Sequence, residues 1–325
     1  MVNSIKYIDP YNKEKSLYES KEGLKNESRE IIFPWVAGAY RCTPDSNYAD
    51  SFGFQWNLFE KTQIDAYSKT GQSSLRFNAV TSWDKQEIGK ENILEVGSGA
   101  GRFTEVILKQ TGANLYSVDY SNAVEANYRN NGNNERLKLF QASIYEMPFA
   151  PAQFDRVLCF GVLQHTSDFK KSVKSLVEMV KPGGELIVDF YPIDGWYTKI
   201  HAKYILRPFA KRVSNQRLLS MIQKNAGWMI GLSKFFTKIG LGKLLNRFLP
   251  ICDIETTIPK SLEKDKLKEW VILDTFDMFS PEFDNPQKID TVKDWFEEFG
   301  MNVKFAGYIK YDRKGLVAVV KGIKK

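Results

Sequence analysis

Two periods of hydrophobicity run along this chain, and the switch between them marks its elements. From residue 90, short apolar runs alternate with stretches whose apolar residues recur every three or four positions. That predicts strands joined by amphipathic helices, hence a parallel sheet with helices on both faces. Strands are expected near 92–97, 114–118, 137–141, 154–160 and 184–190, with helices near 101–111, 121–130 and 168–180. Pro182-Gly183-Gly184 stops the last of these helices and turns into its strand. Residues 290–299 read as a helix. Residues 303–309 and 316–321 read as two strands around Asp312-Arg313-Lys314-Gly315, an antiparallel hairpin closing the sheet.

Ahead of this core, residues 1–45 hold short strand-like pieces at 16–19 and 31–33, separated by turns near Gly23 and Pro34. They read as a small β-rich N-terminal module. Residues 46–89 read as a helical lid or linker, dense in aromatic and amide side chains. Phe54, Trp56 and Phe59 are either packing residues or part of a lid over a ligand. The main domain spans 90–325 and carries a basic helical insert at 192–272.

That insert changes the picture of charge. The chain of 325 residues has a net charge of +7, yet no acidic residue lies between Asp194 and Asp253, where eleven lysines and arginines fall, Lys199 first among them. The rest of the chain is therefore net acidic, and nucleic acid is not the default partner. Leu218, Ile222, Met229, Leu232, Phe236 and Ile239 share one side of a helical wheel, and Arg217, Lys224, Lys234 and Lys238 another. Gly227, Gly231, Gly240 and Gly242 are expected to break the segment into shorter helices. It reads as a cap over the acceptor, with residues 195–250 as a peripheral membrane contact in a compatible second reading.

The hydrophobic content of 43% is ample for a core, and no apolar run reaches the length of a membrane span. The N-terminus has no apolar signal region, so a cytoplasmic location is expected, peripheral at the inner face of the membrane under the second reading. Cys42, Cys159 and Cys252 are odd in number and far apart, which supports neither a disulfide framework nor a zinc site; no metal is expected.

The chemistry concentrates where the first core strand ends. Ile93-Leu94-Glu95-Val96 runs into Gly97-Ser98-Gly99-Ala100-Gly101, and the next apolar run delivers Asp119 at a strand end. A glycine turn before a helix lets backbone approach a nucleotide-like ligand, and a carboxylate at that strand end can take both ribose hydroxyls of an adenosine. A dinucleotide fingerprint needs its third glycine one residue later. Glu95 before the turn would repel phosphate and suit a cation such as an ammonium.

With these residues the chain resembles a class I S-adenosylmethionine-dependent methyltransferase, whose first motif is E/D-x-G-x-G-x-G. Val118-Asp119, Phe154-Asp155-Arg156-Val157, Gly161-Val162-Leu163-Gln164-His165-Thr166 and Val180-Lys181-Pro182-Gly183-Gly184-Glu185-Leu186 follow in the family's order, so the likeness covers residues 90–190. The resemblance implies a Rossmann-like seven-stranded sheet and S-adenosyl-L-methionine as cofactor. Glu95, Gly97, Ser98, Gly99 and Gly101 would cradle its methionine end, and Asp119 would hold the ribose with Tyr120 beside the adenine. Ser143 and Ile144, where relatives show Gly-Asp, and Phe160 and Gly161 after the fourth strand would complete the site. Residues 1–45 resemble the Trm112-like zinc-ribbon modules found before some methyltransferase domains, without their paired zinc cysteines.

Methyl transfer needs positioning above all, and a base only when the acceptor holds its proton. Candidates for the acceptor side are His165, Asp189, Tyr191 and Asp277, with Asp274 nearby. For His165 the competing role is structural, capping the helix that starts near Asp168 or bonding backbone. The expected function is methylation of oxygen on a small-molecule or sugar-type acceptor. A membrane-associated lipid or quinone methyltransferase, or a non-catalytic binding scaffold, is the alternative.

Overall fold

Alternation along the core strands sends neighbouring side chains to opposite faces, and the structure builds a separate packing layer from each set. The computed structural model describes residues 5–44, 47–83, 88–193, 195, 200–259, 262–313 and 315–325. Residues 1–4, Asp194, Lys199 and Lys314, used in the readings above, lie outside the described residues. In the core, β6 (Asn92–Val96), β7 (Asn114–Asp119), β8 (Leu137–Gln141), β9 (Phe154–Phe160) and β10 (Val180–Phe190) run parallel. The hairpin of β11 (Met301–Lys310) and β12 (Leu316–Lys324) closes the sheet, β12 lying antiparallel between β10 and β11. The spatial order is β8-β7-β6-β9-β10-β12-β11. This is a Rossmann-like sheet with a reversed strand near one edge.

Ile93, Leu115 and Leu158 face one side. There they pack with Phe103, Val106 and Ile107 of α4 (Arg102–Gln110) and Phe77 and Val80 of α3 (Gln72–Thr81). Leu94, Tyr116 and Val157 face the other, against Val173, Leu176 and Val177 of α6 (Phe169–Met179) and Phe296 of α12 (Ile289–Glu298). Asp168 caps α6, its side chain accepting from Lys171 N at 2.9 Å. Pro182 and Gly183 do not precede the strand but form an irregularity inside it, since Val180 already pairs with Phe154 before the register shifts to Glu185 opposite Arg156.

The N-terminal strands are continuous with this sheet. β1 (Tyr7–Asp9), β2 (Asn12–Ser20), β3 (Gly23–Lys25), β4 (Ile31–Val36) and β5 (Ala39–Arg41) form an antiparallel meander. β5 then pairs parallel with β8, Tyr40 opposite Phe140 and Arg41 opposite Gln141. Tyr7 and Tyr40 pack on Phe140 with ring centroids 5.9 and 5.0 Å apart, so meander and core share one hydrophobic layer.

The helices outside the sheet are α1 (Asp50–Leu58), α2 (Asp65–Ser68), α5 (Val124–Asn131), α7 (Ala202–Ala210), α8 (Asn215–Lys238), α9 (Gly242–Leu245), α10 (Ile254–Thr257) and α11 (Lys264–Phe279). Leu218, Ile222, Met229 and Ile230 of α8 pack on Trp270, Val271 and Leu273 of α11, with Phe59 beside them. Contrary to expectation, α8 passes unbroken through Gly227 and Gly231. Packing on α11 outweighs the roughly 1 kcal/mol each glycine costs a helix, and a side chain at either position would meet open space. Only Gly240, at φ +80°, marks a break.

Phe140 is buried where meander and core meet, against Tyr7, Tyr40, Tyr116 and Phe149. Phe140→Ala should lower the unfolding free energy by about 3–5 kcal/mol, read from urea denaturation followed by circular dichroism. A loss under about 1 kcal/mol would mean that the meander does not share the core's stability.

Candidate active site

The core strands end together, and the chain leaves β6 toward β8 on one side and returns at β9 on the other. A crevice opens at that switch point, where open α/β sheets bind ligands. Here it is a cavity of about 790 Å³. Its floor is the glycine turn. Gly97 has φ +81° and lies so close to Val162 that a Cβ would stand 2.1 Å from it. Gly99, at φ +53°, sits under the indole of Trp56, so α1 lies over the turn. Asp119 closes one side. Its Oδ2 accepts from Gly99 N at 2.8 Å, and its Oδ1 from Ser121 N at 2.9 Å and Ser121 Oγ at 2.7 Å. Burial raises its carboxyl, and those three donors pull against the rise.

Asp189, fully buried at the end of β10, is held on both oxygens. Arg76 of α3 donates to Oδ2 from Nη2 at 2.6 Å and from Nε at 3.1 Å, and Gly161 N donates to Oδ1 at 2.6 Å. His165 lies in the loop after β9, its ring centroid 5.1 Å from that of Phe52 and 5.6 Å from that of Tyr191. Its Nδ1 is 3.0 Å from Phe283 O. A carbonyl only accepts, so Nδ1 carries the proton and Nε2 keeps its lone pair in the neutral ring. Burial lowers the His165 pKa, against the opposing charge of Asp277.

The opposite wall comes from α11, which runs out of the insert, and from the start of α7. Asp274 and Asp277 of α11 accept from Gln63 and Gln55, each at 3.2 Å. Burial, with the charge of Asp277 beside it, pushes the Asp274 carboxyl up to about 7, while Arg102 pulls it down. His201, Lys203 and Tyr204 of the α7 start also line the cavity. Lys203 and Arg207 pair with buried Asp284 at 2.6 and 3.0 Å, which fixes α7 to the segment that also bonds His165.

Residues 94–188 match a family model described as a methyltransferase domain. This segment is a class I S-adenosylmethionine-dependent methyltransferase domain. Among curated relatives, the chain is 26% identical to a tRNA U34 carboxymethyltransferase of Nautilia profundicola, over 55% of this chain and 54% of that protein. It is 26% identical to a ubiquinone biosynthesis O-methyltransferase of Rickettsia akari, over 68% of this chain and 86% of that one. An uncharacterised Synechococcus protein is 23% identical over 70% of this chain and 50% of its own length. The chain thus spans about half the length of the Nautilia and Synechococcus relatives.

Within and around the methyltransferase domain, Gly97, Ser98, Gly99, Asp119, Tyr120, Ile144, Phe160, Gly161, His165, Asp189, Tyr191 and Asp277 all line the one cavity. Three expected cofactor residues do not. Glu95 stands behind the turn, its Oε2 accepting from Thr104 Oγ1 at 2.5 Å and Ser117 Oγ at 2.9 Å, because its place on β6 faces α4. Gly101, at φ +87°, makes room for Asn127 and Asn131 of α5. Ser143 turns its hydroxyl to Tyr145 N at 3.2 Å, inside a local turn. Arg76, Arg102 and Gln63 join the wall without any motif to announce them. The residues present fit S-adenosylmethionine. A glycine cradle forms the floor, Asp119 stands beside it, and the buried Ser98 Oγ and Gln55 Oε1 on the wall have no partner among the described residues.

Glu95 is a sensor of the domain's stability. Burial pushes its carboxyl up from 4.5 to about 7, against the hydroxyls of Thr104 and Ser117. Between those values the folded chain keeps a proton that the unfolded chain has lost, so stability falls as the pH rises through the window. Asp274 adds a slope of the same sign. Glu95→Gln should match the native chain at the acid end and exceed its stability above neutral pH by ~1–3 kcal/mol. Urea titrations at acid and alkaline pH check this; an equal difference at both ends would show that Glu95 does not titrate on folding.

Proposed function

We propose that this chain methylates an oxygen of a small, polar, sugar-type acceptor, using S-adenosylmethionine. The observation that carries the reading is the single cavity in which the glycine turn and Asp119 face His165, Asp274 and Asp277. Bound S-adenosylmethionine supplies a methyl group on a sulfonium, a good leaving group. Gly97, Ser98 and Gly99 would hold its methionine end, Asp119 its ribose hydroxyls, and Tyr120 and Ile144 its adenine. Glu95, behind the turn, would brace the cradle through Thr104 and Ser117 rather than touch the ligand.

The acceptor would lie against the wall that α11 provides. Neutral His165, with Nε2 unprotonated at physiological pH, is suited to take a hydroxyl proton, and Asp277 to favour the imidazolium that results. Asp189 is assigned a positioning role in place of a catalytic one. Its oxygens are spent on Arg76 and Gly161 N, which sets the loop that carries His165. The carboxylates Asp274 and Asp277 and the amides Gln55 and Gln63 would take acceptor hydroxyls, and Phe52 and Trp56 would exclude water above the turn. The Rickettsia relative, named for O-methyl transfer, supports oxygen as the methylated atom.

Calorimetry decides the first part. S-adenosylmethionine and S-adenosylhomocysteine should bind and NAD should not. Asp119→Ala should weaken cofactor binding by about 1.5–3 kcal/mol with the fold intact. Unaltered binding would remove Asp119 from the site.

Turnover decides the second part. With an acceptor found by screening hydroxyl compounds, His165→Ala should lower kcat by roughly 10²–10⁴ while cofactor affinity holds. Full activity in that variant would leave His165 a structural residue.

A further inference from the structure

We propose that the outer face of α8 and α9 docks this chain onto an anionic phospholipid bilayer. The inner stripe of α8 is used up in packing: Leu218, Ile222, Met229 and Ile230 lie against α11. The opposite stripe repeats at intervals of four and three residues through Arg217, Met221, Lys224, Trp228, Gly231, Phe235 and Lys238, all exposed. Met221, Trp228 and Phe235 show 57, 55 and 54% of their surface to solvent, on a helix about 36 Å long. The Trp228 indole N–H is already satisfied, donating to Asn225 Oδ1 at 2.8 Å, so the ring can leave water at little cost. Beyond the helix end the apolar surface continues through Ile239, Leu241 and Leu244. Apolar side chains exposed in such a run serve no purpose in the fold of a free-standing chain.

The charge around them selects the partner. Residues 200–252 contain no aspartate or glutamate. Arg212, Arg217, Lys224, Lys234, Lys238 and Lys243 are exposed and make no ion pair among the described residues, unlike Lys203, Arg207 and Lys211, which are tied to Asp284 and Glu282. A second copy would bring the same positive face against this one. Nucleic acid would use the cations but gain little from isoleucine, leucine and methionine. A basic amphipathic face with tryptophan and phenylalanine among its lysines matches an anionic interface on both counts. Among the described residues no helix is long and apolar enough to cross a membrane, so the contact lies in the interface plane.

The test uses the full chain and needs no acceptor or cofactor. Co-sedimentation is measured with vesicles of phosphatidylcholine alone and of phosphatidylcholine mixed with phosphatidylglycerol. Binding is expected on the mixed vesicles, fading as salt is raised. Lys224→Gln, Lys234→Gln and Lys238→Gln should each lower the partition about fivefold. Trp228→Ser with Phe235→Ser should also lower it, and because all five side chains are exposed the melting temperature should hold. Equal partition on neutral and mixed vesicles would overturn the proposal. So would indifference to these substitutions, patch-dependent binding of polyuridylate without vesicle binding, or a dimer in sedimentation velocity that the same variants dissolve.

Discussion

A buried carboxylate cannot be left alone, and the site of this protein is arranged around that constraint. Asp189 lies at the carboxyl end of β10 with no exposure to water. Isolated, it would cost several kcal/mol. It is met by a guanidinium from α3 and a backbone N–H from the loop after β9. Those two partners come from segments otherwise unrelated in the chain. One carboxylate thus fixes the pre-core helices to the sheet and sets the loop that carries His165. Removing Arg76 would strand the charge, whereas replacing Asp189 and Arg76 together with apolar groups would lose the alignment. The pair is therefore better understood as a device for placement than as a source of net stability.

The second constraint is a shared wall. The segment that matches the methyltransferase domain ends at residue 188, yet much of the cavity surface lies outside it. α1 gives Phe52, Gln55 and Trp56, and α11 gives Asp274 and Asp277. Phe54 of α1 packs on Phe276 of α11 with ring centroids 5.7 Å apart, and Phe59 lies in the cluster of α8 and α11. The pre-core helix and the insert are thus one packed unit seated over the glycine turn. A change in the insert core would reach the cofactor end of the cavity through α1 as well as the acceptor end directly.

The sheet was legible in the chain because each core strand is an apolar run of ordinary length bounded by turn residues, and each helix shows a stripe of matching period. The glycine turn was legible because positive φ demands glycine at 97 and 99. What periodicity does not encode is orientation behind a turn. Glu95 and Gly101 belong to the same motif as Gly97, yet they face Thr104 and Asn127 instead of the cavity. Nor does sequence show which distant charge meets a buried one. Arg76 with Asp189, and Lys203 and Arg207 with Asp284, are contacts between residues far apart in the chain, set by tertiary packing. Gly227 and Gly231 misled for a related reason. Helix propensity is a small term, and the apolar seam along α11 outweighs it.

The layer that α8 and α11 form carries opposite charge on its two faces, and that polarity explains how one packed unit can serve two surfaces. Toward the cavity, α11 places Asp274 and Asp277 close enough that burial and mutual repulsion hold the first carboxyl near neutrality. Away from it, α8 places lysines that make no ion pair among the described residues beside exposed aromatic side chains. Between the two lies an apolar seam of leucine, isoleucine, methionine and tryptophan that keeps water out. The attraction between the two sets of charges is weak where the outer one is solvated and screened by salt. Each surface can then be tuned without disturbing the other: a substitution on the outer stripe of α8 changes what the insert rests on, while one on the inner face of α11 changes what the cavity accepts.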